Sequence, residues 1–179
     1  MQEEREKRQA FYELIHENIK AEFINGEIVY QSPVKRSHWN ASGNLSSKLI
    51  QFVKDNDLGK IAVEKAMVSL SRNDYEPDIC YWRKEVAEGF TADQMHFPAP
   101  DFIIEIISPS TESIDRNEKW IDYAAHQVIE YWILNPQKQS VEKYLNQDGV
   151  YELSEKLQHG LIRSDVIQGF AIHLTEIFA

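Results

Sequence analysis

Glu105 stands in the middle of the most apolar run of the chain, which extends from Phe102 to Ser108. A run of this kind, rich in β-branched residues and bounded by Pro100 and Pro109, predicts a strand covered on both faces. An unpaired carboxylate in such a strand would cost several kcal/mol. A partner or a chemical role must therefore compensate for the burial of Glu105.

Two other residues complete a set that is typical of metal-assisted phosphodiester hydrolysis. Asp78 directly follows Pro77 and opens a second short apolar run, while Lys119 lies downstream on a predicted helix. Mg²⁺ takes oxygen ligands, usually one or two carboxylates with several waters and a substrate phosphate. Asp78 and Glu105 on neighbouring strands would suffice, with the backbone carbonyl of Ile106 as a third ligand. A lysine ammonium then orients the nucleophile or stabilises the transition state.

The surrounding elements predict a mixed α/β fold in which helices pack on a central sheet. Helical spacing of apolar residues predicts an amphipathic helix over residues 3–17 and a long helix over 37–55. The pair Asn25-Gly26 between two β-prone runs predicts a hairpin. Further strands are expected at 61–63, 67–70, 79–82, 101–108 and 130–134, with a second hairpin around 147–149 and an irregular surface segment over 84–100.

Length and composition place further limits on the protein. With 179 residues it is expected to form a single domain over residues 1–179. No apolar run is long enough to span a membrane, the N-terminus has no secretory signal, and one cysteine allows no internal disulfide, so a cytoplasmic protein is expected. The net charge of −10 argues against a protein that coats nucleic acid through its overall field.

The order of these motifs resembles the PD-(D/E)XK nuclease superfamily and, more closely, the Uma-type restriction endonuclease family. The resemblance implies a restriction endonuclease-like fold and a Mg²⁺-dependent nuclease. It is carried nearly end to end by Glu22 with Asn25-Gly26-Glu27, Ser32-Pro33 followed by His38, Pro77-Asp78-Ile79, Pro100-Asp101, Glu105 through Thr111, Asp115 with Glu118-Lys119, Glu130 through Ile133, and Gly169-Phe170.

One position departs from the superfamily pattern. The usual lysine lies two residues after the strand glutamate, where this chain has Ile107. The resemblance implies that the lysine has moved to the following helix as Lys119, from which it would reach back over the end of the strand. Glu22 is expected to complete the metal shell or to hold a second ion. The predicted site residues are thus Asp78, Glu105, Lys119 and Glu22, with the Ile106 carbonyl.

Several residues have a structural interpretation that competes with the functional one. Glu105 could form a structural ion pair with a buried cation. Asp101 also follows a proline and shares strand parity with Glu105, so an Asp101/Glu105 metal pair stays open although we interpret Asp101 as structural. His38 could contact a phosphate or assist proton transfer, but we interpret it as an ordinary polar residue at a helix start. Asp115 is interpreted as half of a helix capping pair with Glu118.

The sequence thus predicts an endonuclease that hydrolyses phosphodiester bonds of DNA with Mg²⁺ or Mn²⁺. A small catalytic domain that cuts both strands of a duplex is expected to be a homodimer. Two alternatives stay open, namely a non-catalytic binding or scaffold module that retains the fold and a hydrolase of small phosphoesters. A positive rim is expected from Lys35-Arg36, Arg83-Lys84 and Arg116. The sequence does not decide between DNA and RNA.

Overall fold

A computed structural model describes residues 2–16, 19–64 and 66–179. The helices are α1 (Gln2–Leu14), α2 (Arg36–Asp55), α3 (Lys84–Ala87), α4 (Glu112–Arg116), α5 (Glu118–Ala125) and α6 (Leu174–Ile177). The strands are β1 (Ala21–Ile24), β2 (Glu27–Tyr30), β3 (Gly59–Val63), β4 (Met67–Ser69), β5 (Asp74–Tyr75), β6 (Ile79–Arg83), β7 (His96–Phe97), β8 (Phe102–Ile106), β9 (Glu130–Asn135), β10 (Ser140–Gln147), β11 (Val150–Leu157), β12 (Leu161–Arg163) and β13 (Ala171–His173).

In the described residues these strands form three sheets. The largest has the order β11-β10-β9-β8-β6-β3, the second has the order β2-β1-β5-β4-β7, and β12 pairs with β13 alone. Strand β8 lies inside the large sheet, parallel to β9 and antiparallel to β6. All five of its residues are buried, as the apolar run predicts.

Alternate residues of β8 face two different cores, because successive side chains of a strand point to opposite faces. Phe102, Ile104 and Ile106 pack with the leucines of α2. Ile103 and Ile107 pack on the other face, together with Tyr123 of α5. Glu105 has the parity of Ile103 and Ile107, so its side chain is directed to the face that α5 covers.

The long helix begins at Arg36 and ends at Asp55, within one residue of the prediction. Its buried stripe begins at His38 and continues through Leu45, Leu49 and Val53, together with Ala41, Ser42 and Ser46. This is the spacing of one helix face. His38 therefore lies on the face that packs against the large sheet.

The first hairpin is confirmed, with Asn25 at φ 51° and Gly26 at φ 85° between β1 and β2. Two positive φ angles are what a type I′ turn requires. Helix α1 ends at Leu14, earlier than expected, and the predicted final residue Glu17 lies outside the described residues. The segment 84–100 is more regular than predicted, since it contains α3 and β7.

In the described part of the chain, no helix has both the length and the apolar character that crossing a membrane demands.

Candidate active site

Asp78 and Glu105 lie opposite each other on paired strands. Ile79 pairs with Ile104 in the antiparallel register of β6 and β8, which places the preceding residue Asp78 across from Glu105. The Asp78 backbone N–H points to Glu105 Oε2 at 3.4 Å, and the Ile106 N–H donates to Asp78 Oδ2 at 2.7 Å. The two carboxylates predicted from the sequence are thus held side by side at the end of the sheet.

Lys119 lies beside them on α5. Its ammonium Nζ is 3.0 Å from Glu105 Oε1, 2.9 Å from Glu22 Oε1 and 3.3 Å from Asp115 Oδ1. The residue is only 4% exposed. The structure therefore brings the helix lysine to the strand glutamate, as the resemblance implies, although Lys119 is also fully engaged in ion pairs.

These buried groups shift one another's proton affinity. Burial raises the pKa of Glu105 well above its usual range, and the Lys119 cation offsets this only in part. Burial also raises the pKa of Asp115. For Lys119 burial acts to lower the pKa, but the adjacent carboxylates outweigh it and raise that pKa well above the ordinary value. The ammonium thus stays charged among more carboxylates than it can neutralise.

Glu22 reaches this cluster from the second sheet. It lies on β1, is 1% exposed, and accepts hydrogen bonds from the Glu76 backbone N–H at 2.8 Å and from Gln31 Nε2 at 2.9 Å. Both hydrogen bonds orient its carboxylate toward Lys119. Glu22 therefore contacts the lysine of the cluster, and its role in holding a metal ion stays a prediction.

His38 closes the cluster on the side of α2. Its Nε2 lies 3.3 Å from Asp78 Oδ2, and the residue is 7% exposed. Burial alone would lower the pKa of His38, but the hydrogen bond and charge of Asp78 outweigh burial and raise it. The interpretation of His38 as an ordinary helix-start residue is therefore wrong. Its position on the stripe of Leu45 and Leu49 was the signal that it faces the sheet.

Asp115 was also misinterpreted. The helix is interrupted at Asn117, so Asp115 lies inside α4 and neither helix has a side-chain cap. Asp115 is 2% exposed and joins the ion cluster instead. Asp115, Lys119 and Tyr123 are spaced four residues apart, and this spacing is the sequence signal that they share a face. Tyr123 OH also donates a hydrogen bond to Glu105 Oε1 at 2.9 Å.

A cavity of about 370 Å³ opens over these residues. Its walls are formed by the segment from Val29 to His38, by the turn from Ile107 to Thr111 and by Pro136 and Gln137. Its floor is strongly acidic, since it contains five carboxylates and one ammonium. The carboxylates belong to Glu22, Glu76, Asp78, Glu105 and Asp115, and the ammonium belongs to Lys119. A concave site with convergent polar groups and shifted pKa values is typical of an active site.

Asp101 lies away from this cavity. Its carboxylate accepts hydrogen bonds from the Arg83 backbone N–H at 2.8 Å and from Arg83 Nε at 2.6 Å. It precedes β8 at the end of the strand opposite to Ile106. The structural interpretation of Asp101 therefore fits the structure, and the Asp101/Glu105 metal pair does not.

The predicted positive rim is present only in part. Lys35 lines the cavity, as does Lys20, which the sequence did not single out. Arg83 instead pairs with Asp101, Lys84 with Asp57, and Arg116 with Glu142. None of these three cations is among the described residues that line the cavity.

The donor set fits a hard, hydrated cation. Among the residues that the structure describes, no group of three or more His, Cys, Asp or Glu side chains is arranged to hold a metal ion. Mg²⁺ needs fewer protein ligands than such a group provides, because it keeps several waters. Asp78 and Glu105 supply that smaller set, Ile106 lines the same cavity, and the surplus of negative charge around Lys119 favours a cation.

Comparisons with known proteins agree with this architecture. A solved structure from Anabaena variabilis, described as "a putative nuclease belonging to DUF820", matches with a TM-score of 0.80 at 19% identity. The match covers 94% of this chain and 94% of that one. It confirms the predicted fold class, a mixed α and β fold with helices flanking the sheets in the manner of restriction endonuclease-like nucleases.

The family of this chain is identified by a match to a model of a protein family. The model described as "Uma2: Putative restriction endonuclease" matches residues 8–175. The chain therefore belongs to this family, and the resemblance predicted from its motifs is confirmed. None of the curated proteins matches it.

Proposed function

We propose that this protein is a nuclease that hydrolyses phosphodiester bonds of DNA with Mg²⁺ or Mn²⁺. The observation that carries the proposal is the pairing of Asp78 and Glu105 across β6 and β8, on the floor of a cavity and beside the buried ammonium of Lys119. The family description, a restriction endonuclease, supports DNA as the substrate.

Each site residue has a defined task in this proposal. Asp78, Glu105 and the Ile106 carbonyl would hold the ion. When bound, it supplies Lewis acidity, which lowers the pKa of a water and neutralises charge on the scissile phosphate. Lys119 places its ammonium where it orients the attacking water or stabilises the transition state. The water oxygen bonds to phosphorus as one P–O ester bond breaks.

The acidic floor explains why a cation would be required. Glu22, Glu105 and Asp115 surround a single ammonium, and Asp78 lies next to Glu105. A phosphate diester entering this floor would meet net negative charge, and a divalent ion would offset most of that charge locally. Metal dependence is thus proposed from the charges of the site itself.

The cellular setting and assembly are part of the same proposal. The protein would act in the cytoplasm. It would act as a homodimer, because one small catalytic unit reaches one strand of a duplex, whereas two units related by symmetry reach both strands.

The decisive experiment is nicking of supercoiled plasmid with Mg²⁺, Mn²⁺ or EDTA. Wild type is expected to nick only with metal. Asp78→Asn and Glu105→Gln each remove one charged ligand at nearly constant shape. Cleavage should therefore fall by more than the roughly 10–100-fold that loss of an outer-shell partner of a metal ligand costs. Asp101→Asn is the matched control, since Asp101 also follows a proline but lies outside the cavity. It should cleave like wild type.

Several outcomes would contradict the proposal. Cleavage that survives in both carboxylate variants would point to a contaminating nuclease. An inactive wild type that Mn²⁺ fails to stabilise against heat would favour a non-catalytic module, because a bound ion must raise the melting temperature. Cleavage of a chromogenic phosphodiester faster than any polynucleotide would identify a small-molecule hydrolase, and a parallel RNA substrate separates RNA from DNA cleavage.

A further inference from the structure

His38 is buried where α2 meets the site, and it has one engaged and one unengaged ring nitrogen. Nε2 lies 3.3 Å from Asp78 Oδ2. Nδ1 is buried, and no described residue forms a hydrogen bond with it. An unsatisfied buried polar atom costs about 1–3 kcal/mol. An apolar side chain on the stripe of Leu45 and Leu49 would pack without that cost, so the contact with Asp78 is what distinguishes a histidine here.

The contacts of Asp78 are unevenly divided between its two oxygens. Oδ2 accepts the Ile106 N–H at 2.7 Å and also faces His38. Within the described ranges, no residue donates a hydrogen bond to Oδ1. Two restraints on one oxygen fix the rotation of the carboxylate, which leaves the other oxygen for a ligand.

We infer that His38 is a positioning residue that fixes the Asp78 carboxylate so that Oδ1 is presented to a divalent cation. The inference rests on the metal site of the proposed function and adds to it a residue that acts through Asp78. Carboxylates that bind metals are commonly held by a second partner, and loss of that partner typically weakens metal binding 10–100-fold.

The test measures Mn²⁺ affinity by titration calorimetry, so that it does not depend on turnover. Three variants separate the contact from the volume of the ring. His38→Gln can place an amide N–H near the position of Nε2, whereas His38→Asn reaches only the position of Nδ1, and His38→Ala reaches neither. Gln is expected to bind Mn²⁺ within a few-fold of wild type, and Asn and Ala about 10–100-fold more weakly.

His126→Ala is the matched control. His126 directly follows α5 and also lies beside an aspartate, with Nδ1 3.8 Å from Asp122 Oδ1, but it is not among the described residues that line the cavity. Its Mn²⁺ affinity should equal that of wild type. Melting temperatures in EDTA and near-ultraviolet circular dichroism show whether each variant is folded. If His38→Ala does not fold, the comparison of Gln with Asn decides the question.

The outcomes separate this inference from the proposed function. If wild type binds Mn²⁺ and the Asn and Ala variants bind it equally well, the positioning role is wrong and the nuclease proposal stands. The role is also wrong if Gln binds as weakly as Ala, since the donated contact then does not matter. If Asn and Ala raise the KM for DNA at unchanged Mn²⁺ affinity, His38 contacts the substrate instead. No Mn²⁺ binding by wild type overturns both proposals.

Discussion

The ammonium of Lys119 lies 3.0 Å from Glu105 Oε1, so a residue of α5 neutralises the carboxylate that interrupts the apolar strand β8. The same ammonium serves Glu22 and Asp115. One cation thus holds three carboxylates from β1, β8 and α4 in a single cluster. The stability of the site and its chemistry therefore depend on the same few atoms.

Removal of this cation should be strongly destabilising. Lys119→Met keeps most of the side-chain length but leaves the three carboxylates without a cationic partner, and we expect the free energy of unfolding to fall by about 3–5 kcal/mol. Urea unfolding at pH 8 in EDTA measures this. Lys138→Met, at an exposed lysine, should stay within about 0.5 kcal/mol of wild type. A loss below about 1 kcal/mol for Lys119→Met would mean the cluster behaves like a surface pair.

Glu105→Gln should have the opposite effect on the metal-free protein. The folded state raises the pKa of Glu105, so the ionised carboxylate is less stable in the folded than in the unfolded chain once the pH exceeds both pKa values. Gln removes that penalty. At pH 8 in EDTA its melting temperature should match or exceed that of wild type, whereas the increase caused by Mn²⁺ should disappear.

Glu130→Gln is the matched control for that experiment. Glu130 is likewise a fully buried strand glutamate, but it accepts hydrogen bonds from Ser164 Oγ, Trp132 Nε1 and two backbone N–H groups. Burial raises the pKa of Glu130 as well, so Gln removes that penalty here too. An amide cannot accept all of these hydrogen bonds, however, and the net result should be a loss of about 1–3 kcal/mol. The increase in melting temperature caused by Mn²⁺ should remain in Glu130→Gln. A melting temperature in EDTA that falls equally in both variants would contradict our account of Glu105.

Acid should weaken the contact that holds α4 to β10. Arg116 Nη1 lies 2.6 Å from Glu142 Oε2, and Tyr144 OH donates to the same oxygen at 2.7 Å. Although burial acts to raise it, these hydrogen bonds and that of Lys156 lower the pKa of Glu142 to about 2. Its contribution to stability is therefore full above the unfolded pKa of about 4.3 and is lost as the pH falls toward 2.

The measurement compares wild type with Glu142→Gln in urea at pH 6, 4 and 3. A difference of about 1–2 kcal/mol is expected at pH 6, because solvent screens this partly exposed pair, and it should shrink as the pH falls. Glu152→Gln, an exposed glutamate on β11, should show no such trend. A difference that is constant with pH would contradict an electrostatic contribution from Glu142.

Lys35 should contribute to nucleic-acid binding by charge. It is exposed and lines the cavity, whereas Lys84 pairs with Asp57 elsewhere. Lys35→Ala should weaken binding of a fluorescently labelled DNA similarly for all sequences. The slope of log affinity against log salt should fall by about 0.9 if one phosphate contact is lost. Lys84→Ala should leave the slope unchanged, and equal effects of the two variants would argue against a cavity-centred interface.

The sequence predicted the strand of Glu105 but could not identify its partners. Glu105 and Glu130 both interrupt apolar runs of similar composition. Glu105 lies among ionised groups, whereas Glu130 lies among the neutral hydrogen-bond donors of a distant turn. The local sequence pattern indicates that each strand is buried. The partner of each glutamate depends instead on which helix or turn packs on that face of its strand. In advance, Glu105 was distinguished by its place in the most apolar run and by the set that it forms with Asp78 and Lys119, to which the resemblance to a nuclease family gave a role.

The same limit explains the residues that were misinterpreted. Asp78 and Asp101 both follow a proline, yet the antiparallel register of β6 and β8 places only Asp78 opposite Glu105. His38 and Asp115 were given local roles, as helix-start and capping residues. Their long-range contacts depend on how α2 and α4 pack, which no short window of sequence encodes. Helix α2 and the first hairpin, by contrast, were predicted closely because their periodicity and turn residues are local.

The placement of Glu22 has a consequence for how this family diverges. Glu22 belongs to the five-stranded sheet and Glu105 to the six-stranded sheet, and Lys119 joins them. The ion cluster thus links the five-stranded sheet to the six-stranded sheet. A relative without nuclease activity would still be selected to keep Lys119 and its carboxylates, because their loss would loosen the fold. Retention of these residues in a relative is therefore evidence of an intact architecture before it is evidence of catalysis.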